Sequence, residues 1–344
     1  MAQGVPTISP PSLSLRLGLA LAVALLFSLP WFVWADLQLQ DSLFRLRRNL
    51  SPGPVPPPEV VIVGIDEETL RRHPEPLALF HQPIGAFLQA MASARPAAVG
   101  LDLALPDRSI EALLPGRDAA LLRGLLSMRS VAPVILGRVT GADGRPRGLH
   151  PPFEAAVGQD RVGYLLFQED TDRRIRRFEQ RLQLQGGSIS TFAGLLAETR
   201  GIQARNGTLD MALGQAFDFV PLHQVLAWRE AGQVEALQAT FGGKLVLLGS
   251  VLPFEDRVKL AVHLAAWEPH DTGTTPGVVL QAHTLRCLLA GRVLTPVPAW
   301  AQVLTVFAAA LAGFALGYRR IPGFSAVLLI LPLLPASSYG ALTL

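Results

Sequence analysis

The sequence contains one cysteine and two lysines among its 344 residues, and each shortage excludes something. Because Cys287 is alone, no internal disulfide forms, and a domain outside the cytoplasm must be stable through burial alone. Cys287 lies on a predicted helix between leucines, where a buried structural thiol is favoured over a reactive one. The lysines are Lys244 and Lys259 and the arginines are scattered, so no dense basic surface indicates nucleic acid as a partner.

Short motifs of common catalytic sites are also missing. The sequence has no HExxH, GxSxG or CxxC pattern. Gly242-Gly243-Lys244 is followed by leucine and lacks the upstream glycine and downstream hydroxyl residue of a phosphate-binding loop. The seven histidines are dispersed without metal-ligand spacing. We therefore expect no cofactor, no bound metal and no enzyme activity.

Three uncharged apolar segments are present, and they divide the chain. Residues 17–35 and 300–318 each give 19 positions without charge, close to the ~20 that cross a bilayer as a helix. These segments predict an N-terminal region at 1–16, spans at 17–35 and 299–318, a loop at 319–323, and a third span at 324–344 within which the chain ends. The intervening residues 36–298 are long enough for one folded domain.

The orientation of the domain is predicted from arginine distribution. Arg319 and Arg320 lie in the one short loop, where the positive-inside rule is most reliable, so residues 319–323 are assigned to the cytoplasm. The N-terminus is then cytoplasmic and residues 36–298 are outside. A cleaved signal peptide is the alternative for residues 17–35, but the length of this segment and its terminal tryptophans favour an uncleaved anchor.

Gly313 and Gly317 form a small-xxx-small pair in the second predicted span. Such a pair lets two helices approach closely, either between two copies of the chain or between spans of one chain.

The middle of the chain alternates predicted strands and helices. Residues 60–65 and 97–103 are apolar runs typical of buried strands, and a helix is predicted between them at 84–94. Further helices are predicted at 118–128, 190–199, 221–230 and 278–290, with strands at 131–136 and 245–249. Residues 162–167 and 178–184 are predicted as strands of an antiparallel excursion. The fold class is therefore α/β, with a largely parallel sheet, covering helices and membrane anchors.

Acidic residues follow the ends of several predicted strands. Asp66 follows the first strand, Asp102 ends the second, and Asp256 lies a few residues beyond the strand at 245–249. Ligands bind at the carboxyl ends of strands in open α/β sheets, so these residues are candidates for binding a cation or a basic ligand. The alternative, which we favour, is structural, with Asp66 capping the helix that follows.

A charged turn provides three more candidates. Asp170, Asp172 and Arg176 lie in a segment of alternating acids and arginines, which either binds a ligand or neutralises itself. Self-neutralisation is the favoured interpretation.

Five stretches in this order resemble the type 2 CHASE family, the extracellular sensor module of bacterial cyclases and histidine kinases. They are residues 60–66, 97–102, 170–176, 243–250 and 276–283. Two departures stand out. The Trp-Pro-Trp turn usual in the family is replaced by residues 73–80, and Gln281 occupies the position of a usual histidine, with His283 just beyond it. His283 is therefore included among the ligand-binding candidates.

The resemblance implies a multi-pass protein of the bacterial inner membrane, with its sensor domain outside the cytoplasm. We expect it to detect a small-molecule or envelope ligand and to signal through its spans to a cyclase or kinase partner or to a missing output domain, as a homodimer. Two alternatives remain open. One is a metal-dependent hydrolase using Asp66, Asp102 and Asp256, and the other is a membrane scaffold without a signalling role.

Overall fold

The computed structural model describes most of the middle of the chain. The described residues are 18, 37–46, 59–141, 143–184, 187–203, 206–264, 267, 274–295, 298, 300, 301, 304, 307, 308 and 311. The chain divides into two units, Met1–Leu46 with Leu294–Leu344, and Arg47–Val293. Residues 37–46 of the first unit are helical. The elements below belong to the second unit, apart from the final residue of the last strand.

Six parallel strands form the main sheet of the second unit. They are β1 (Val60–Ile65), β2 (Ala98–Asp102), β3 (Val134–Arg138), β4 (Val162–Tyr164), β9 (Phe219–Pro221) and β10 (Leu245–Ser250), in the order β4-β3-β2-β10-β1-β9. The central strands β1, β2 and β10 are almost entirely buried, as expected for parallel strands covered on both faces. The predicted α/β class with a largely parallel sheet is confirmed.

Within the described residues of this unit, eight α-helices accompany the sheet. They are α1 (Glu67–Arg72), α2 (His81–Ala94), α3 (Arg117–Met128), α4 (Pro151–Val157), α5 (Phe192–Glu198), α6 (Leu222–Glu230), α7 (Val234–Phe241) and α8 (Gly277–Leu289), with short 3₁₀ turns at Leu77–Leu79 and Gln159–Arg161. One face of the sheet packs in a single apolar core with α2, α3, α6 and α7. The other face of the sheet packs against α5 and α8. Both faces are apolar because successive side chains of each buried strand point to opposite faces.

Short strands lie outside the main sheet. They are β5 (Arg177–Phe178), β6 (Arg181–Leu184), β7 (Gly187–Ser190), β8 (Gly207–Leu209), β11 (Arg257–Val258), β12 (Thr275–Pro276) and β13 (Val293–Leu294). Antiparallel pairs join β5 to β8, β6 to β7 and β11 to β12. The antiparallel excursion is thus present, but the pairing predicted for its first strand is wrong. Val162–Tyr164 is an edge strand of the parallel sheet, because it pairs with β3.

Among the described residues, no helix is both long enough and apolar enough to cross a membrane. The three predicted spans, at 17–35, 299–318 and 324–344, lie almost wholly outside these residues. Gly313 and Gly317, predicted to form a helix contact, also lie outside them.

Candidate ligand site at the carboxyl edge of the sheet

The carboxyl ends of the six parallel strands lie along one edge of the sheet, and the edge carries polar side chains. Tyr164 ends β4, Arg138 ends β3, Asp102 ends β2 and Ser250 ends β10, while Asp66 follows β1. Because parallel strands place all their carboxyl ends together, the loops that follow them meet here. Ligands of open α/β sheets bind at this edge, so it is the candidate ligand site.

Asp102 is the most deeply buried acid at this edge. Asp102 is 5% exposed, and its Oδ2 makes no hydrogen bond within the described part of the chain. Burial raises the pKa of the Asp102 carboxyl well above its usual value, and the charge of Asp256 raises it further. A carboxylate in this position is costly, so Asp102 favours a protonated form or a bound cation.

The position of Asp102 depends on a close approach between β10 and α8. Gly249 pairs with Asp102 in the sheet register. A Cβ at Gly249 would lie 2.6 Å from the Cβ of Val278 and 3.2 Å from the Cβ of Asp102. The missing side chain therefore lets the first turn of α8 pack next to the end of β2.

Asp256 is an exposed acid at the start of α8. Its backbone is left-handed, with φ of 47°, and its carbonyl accepts a hydrogen bond of 2.8 Å from the N–H of Gly277. The carboxylate lies directly against Gly277, where an added Cβ would come within 2.1 Å of Oδ2. Asp256 is exposed, but desolvation of its carboxylate raises its pKa, opposed by the charge of Arg257. The two acids thus meet at the start of α8.

Neighbouring residues hold the Asp256 loop on α8. Pairing of β11 with β12 places Arg257 opposite Pro276, the residue before the helix. The Nε of Arg257 donates to Thr274 Oγ1 at 3.0 Å. Glu255 adds a further acid, whose pKa is raised first by desolvation and then by the charge of Asp256. We call Asp102, Glu255, Asp256 and the first turn of α8 the acidic niche.

Asp66 has a different role. Its Oδ1 accepts hydrogen bonds from the backbone N–H of Thr69 at 2.8 Å and from the Thr69 hydroxyl at 2.6 Å. His223 Nδ1 lies 3.4 Å from the same oxygen. The predicted capping of α1 is therefore confirmed. The described residues hold no group of three acidic, histidine or cysteine side chains placed to bind a metal, so Asp66, Asp102 and Asp256 form no such group.

The charged turn neutralises itself around a buried arginine. Arg176 is 2% exposed, and its guanidinium donates to Asp170 Oδ2 at 2.9 Å and to both oxygens of Asp172 at 2.9 and 2.8 Å. Hydrogen bonding to Arg176 lowers the pKa of Asp172. The Arg177 side chain lies 3.0 Å from Asp170 Oδ1. This geometry matches the favoured interpretation of self-neutralisation.

His283 lies within the buried part of α8. Its Nε2 donates to the carbonyl of Asp210 at 3.0 Å and lies 3.4 Å from the sulfur of Cys287. Burial lowers the pKa of His283 to about 4, so its side chain is neutral near pH 7. Burial raises the pKa of the Cys287 thiol, which agrees with the buried structural thiol predicted from sequence.

A polar network around Asp118 was not found from sequence. His81 is fully buried, and its Nδ1 lies 2.8 Å from Asp118 Oδ1. The other oxygen of Asp118 accepts from the Ser109 hydroxyl at 2.5 Å and from the Ile110 N–H at 3.1 Å. Arg117 pairs with Glu75 at 2.7 Å, in the segment that replaces the Trp-Pro-Trp turn. No local pattern marks this network, because His81 lies 37 residues from Asp118 and Glu75 lies 42 residues from Arg117.

The order of the hydrogen-bonded side chains in this network differs from that of a hydrolytic triad. Asp118 lies between His81 and Ser109, whereas a nucleophilic serine requires the histidine next to its hydroxyl. The network instead ties the loops after α1 and β2 to the start of α3.

A small depression lies beyond the end of β4. Its lining includes Leu166, Phe178, Leu182 and Gln281. The amide of Gln281 donates to the carbonyl of Leu165 at 2.9 Å, so the residue that replaces the usual histidine joins α8 to the β4 loop.

A family model for the CHASE2 domain matches residues 18–315. The chain belongs to the CHASE2 family. No curated protein and no solved structure matches it. The match to the family model confirms the resemblance seen in the five stretches, and CHASE2 is a family of extracellular sensor domains.

Proposed function

We propose that this CHASE2 protein is a membrane-anchored sensor, that its stimulus acts at the carboxyl edge outside the cytoplasm, and that α8 carries the response toward the membrane. The observation that supports this proposal is the position of α8 in the chain. The helix begins at the acidic niche, and the chain runs from its end at Leu289 to the apolar segment 299–318.

The packing of α8 suits such a role. Eleven of its thirteen residues are buried, and it packs against β1, β10 and α5. At 1.5 Å per residue, the helix is about 20 Å long. A packed helix moves as a unit by small shifts or rotations, so a change at Gly277 can be expressed at Leu289.

Beyond the membrane, the proposal has two further parts. The protein acts as a homodimer whose apolar segments meet at Gly313 and Gly317, and its output is delivered by a cyclase or kinase. These parts follow from the family and from the small-residue pair, and they require a protein that crosses the inner membrane with residues 36–298 outside.

Topology reporters test the membrane arrangement. A reporter inserted at Gly141, in an exposed turn region of the domain, should be active only outside the cytoplasm. The same reporter fused after Arg320 should be active only inside. Activity of both fusions on one side, or recovery of the chain from washed lysate without detergent, would refute the arrangement.

A chimera with a cyclase fused after residue 323 tests transmission through α8. In Gly277→Ala, the new Cβ overlaps the Asp256 carboxylate, which must move, while the backbone of Gly277 needs no special φ. We expect this variant to change the basal cyclase output. Gly148→Ala is the matched control, because its Cβ would make only an ordinary contact of 3.8 Å with Asp107. Equal output from both variants would refute transmission from this site.

A further inference from the structure

The acidic niche brings together two carboxyl groups in different surroundings. Asp102 is at the bottom, 95% removed from solvent, with an oxygen that has no hydrogen-bond partner in the described residues. Asp256 is at the mouth, exposed, with its carboxylate against Gly277. The first two residues of α8 contact this arrangement directly, Gly277 through Asp256 and Val278 through Gly249 beside Asp102.

The charges around the pair are few. Glu255 repels Asp256, whereas Arg257 attracts it and also donates to Thr274 Oγ1 at 3.0 Å. The N-terminus of α8 contributes a partial positive charge, which favours negative charge on a nearby carboxylate. For Asp102 the two dominant influences are burial and Asp256, and both oppose its ionisation.

The occupant that fits this place is the smallest cation. A metal ion would require several ligands, and no suitable group of three side chains occurs in the described residues. A proton requires no additional volume, and it gives the buried carboxyl a neutral form. A negative charge on a neighbouring carboxylate opposes ionisation of a buried carboxyl and so favours its protonated form.

We propose that the acidic niche binds one proton on the buried carboxyl of Asp102, that Asp256 nearby influences its release, and that occupancy sets the position of the start of α8. This inference rests on the proposed function, since it names the stimulus that the sensor detects outside the cytoplasm. When the proton leaves, Asp102 becomes a second negative charge near Asp256 at the start of α8. Asp102 is fixed within β2, whereas the Asp256 loop is joined to the start of α8 through the hydrogen bond from the N–H of Gly277, so a shift of Asp256 moves the start of the helix with it.

Infrared difference spectroscopy on the full chain in detergent tests for the proton on Asp102. A pH titration from about 8 to 4 covers the ordinary carboxyl range and raised values. The wild type should gain a protonated-carboxyl C=O band well before exposed acids titrate, with an uptake of about one proton. Asp102→Asn should lose this band, and Asp256→Asn should shift its midpoint to lower pH. Asp107→Asn, an exposed acid in the loop after the same strand, is the matched control and should retain the band.

Unfolding measurements give a second readout. A carboxyl whose pKa is raised by folding adds stability at pH values below its unfolded pKa, and this stability is lost as pH rises through the folded pKa. One linked proton changes the folded-to-unfolded ratio by up to about tenfold per pH unit. The free energy of unfolding should depend more strongly on pH in the wild type than in Asp102→Asn. Asp256→Asn should also reduce this pH dependence, and it provides the comparison if Asp102→Asn does not fold.

Two results would overturn the inference. The first is a C=O band with the same midpoint in the wild type, Asp102→Asn and Asp256→Asn. The second is a band that responds to calcium at constant pH and not to pH, which would assign the niche to a metal ion. Neither result depends on signalling, so the topology and chimera experiments remain separate tests of the sensor function.

Discussion

Replacement of Arg176 by methionine separates a structural role of the charged turn from a ligand-binding role. Methionine keeps an unbranched side chain but removes the guanidinium that binds both Asp170 and Asp172. Breaking a buried ion pair by removing one partner costs about 3–5 kcal/mol. Arg177 still pairs with Asp170, so the lower end is expected, about 3 kcal/mol. For a domain of this size, each kcal/mol lowers Tm by about 2–4 °C, which gives a decrease of about 6–12 °C.

Thermal unfolding of the full chain in detergent, followed by circular dichroism, measures this change. Removing both acids together with the arginine, in Asp170→Asn, Asp172→Asn and Arg176→Met, should recover part of the lost stability because no unpaired carboxylate remains. Arg108→Met is the control, since Arg108 forms an exposed pair with Asp107 and its loss should cost less than about 1 kcal/mol. If Arg176→Met melts at the same temperature as Arg108→Met, the turn is not held by Arg176 and our structural assignment is wrong.

Two further predictions concern the buried part of α8. His283 has its pKa lowered to about 4 in the folded protein, so its contribution to stability is complete above its unfolded pKa of about 6.5 and falls as pH decreases toward 4, by up to about 3 kcal/mol. Urea unfolding should therefore show a smaller loss of stability between these pH values in His283→Gln than in the wild type, and an equal loss would contradict the assignment. Cys287 is fully buried with a raised pKa, so a maleimide should leave it unmodified in the native chain and label it after denaturation. Rapid labelling of the native protein, detected by mass spectrometry, would show that the thiol is accessible.

Local sequence patterns were sufficient for the central elements. The run at 60–65 is predicted as a strand and forms β1 with the same bounds, because continuous β-branched residues suit a strand buried on both faces. The helix predicted at 278–290 differs from α8 by one residue at each end. These elements are encoded by apolar residues close together in the chain.

Other elements depend on contacts that a local pattern does not contain. Helix α1 has six residues, four of them charged, so its sequence gives little apolar signal. The helix is stabilised by the predicted cap at Asp66 and also by burial of Thr69, whose hydroxyl lies 3.2 Å from Nδ1 of His223. Strand β9 pairs with β1 although its residues are only partly buried. The segment at 162–167 has the apolar pattern of any short strand, which does not show its partner. Its first three residues form β4, and the order of strands in the sheet places β4 parallel to β3.

Apolar and β-branched runs along the chain predict an α/β domain, and the same runs show that acids lie at the ends of its strands. Tertiary structure decided which acids meet. Asp66 is held by the helix that follows it, whereas pairing of β11 with β12 brings Asp256 to the start of α8, beside Asp102. The physical reason is that strand propensity acts over a few neighbouring residues, while the meeting of Asp102 and Asp256 requires the sheet order and a loop folded back onto a helix.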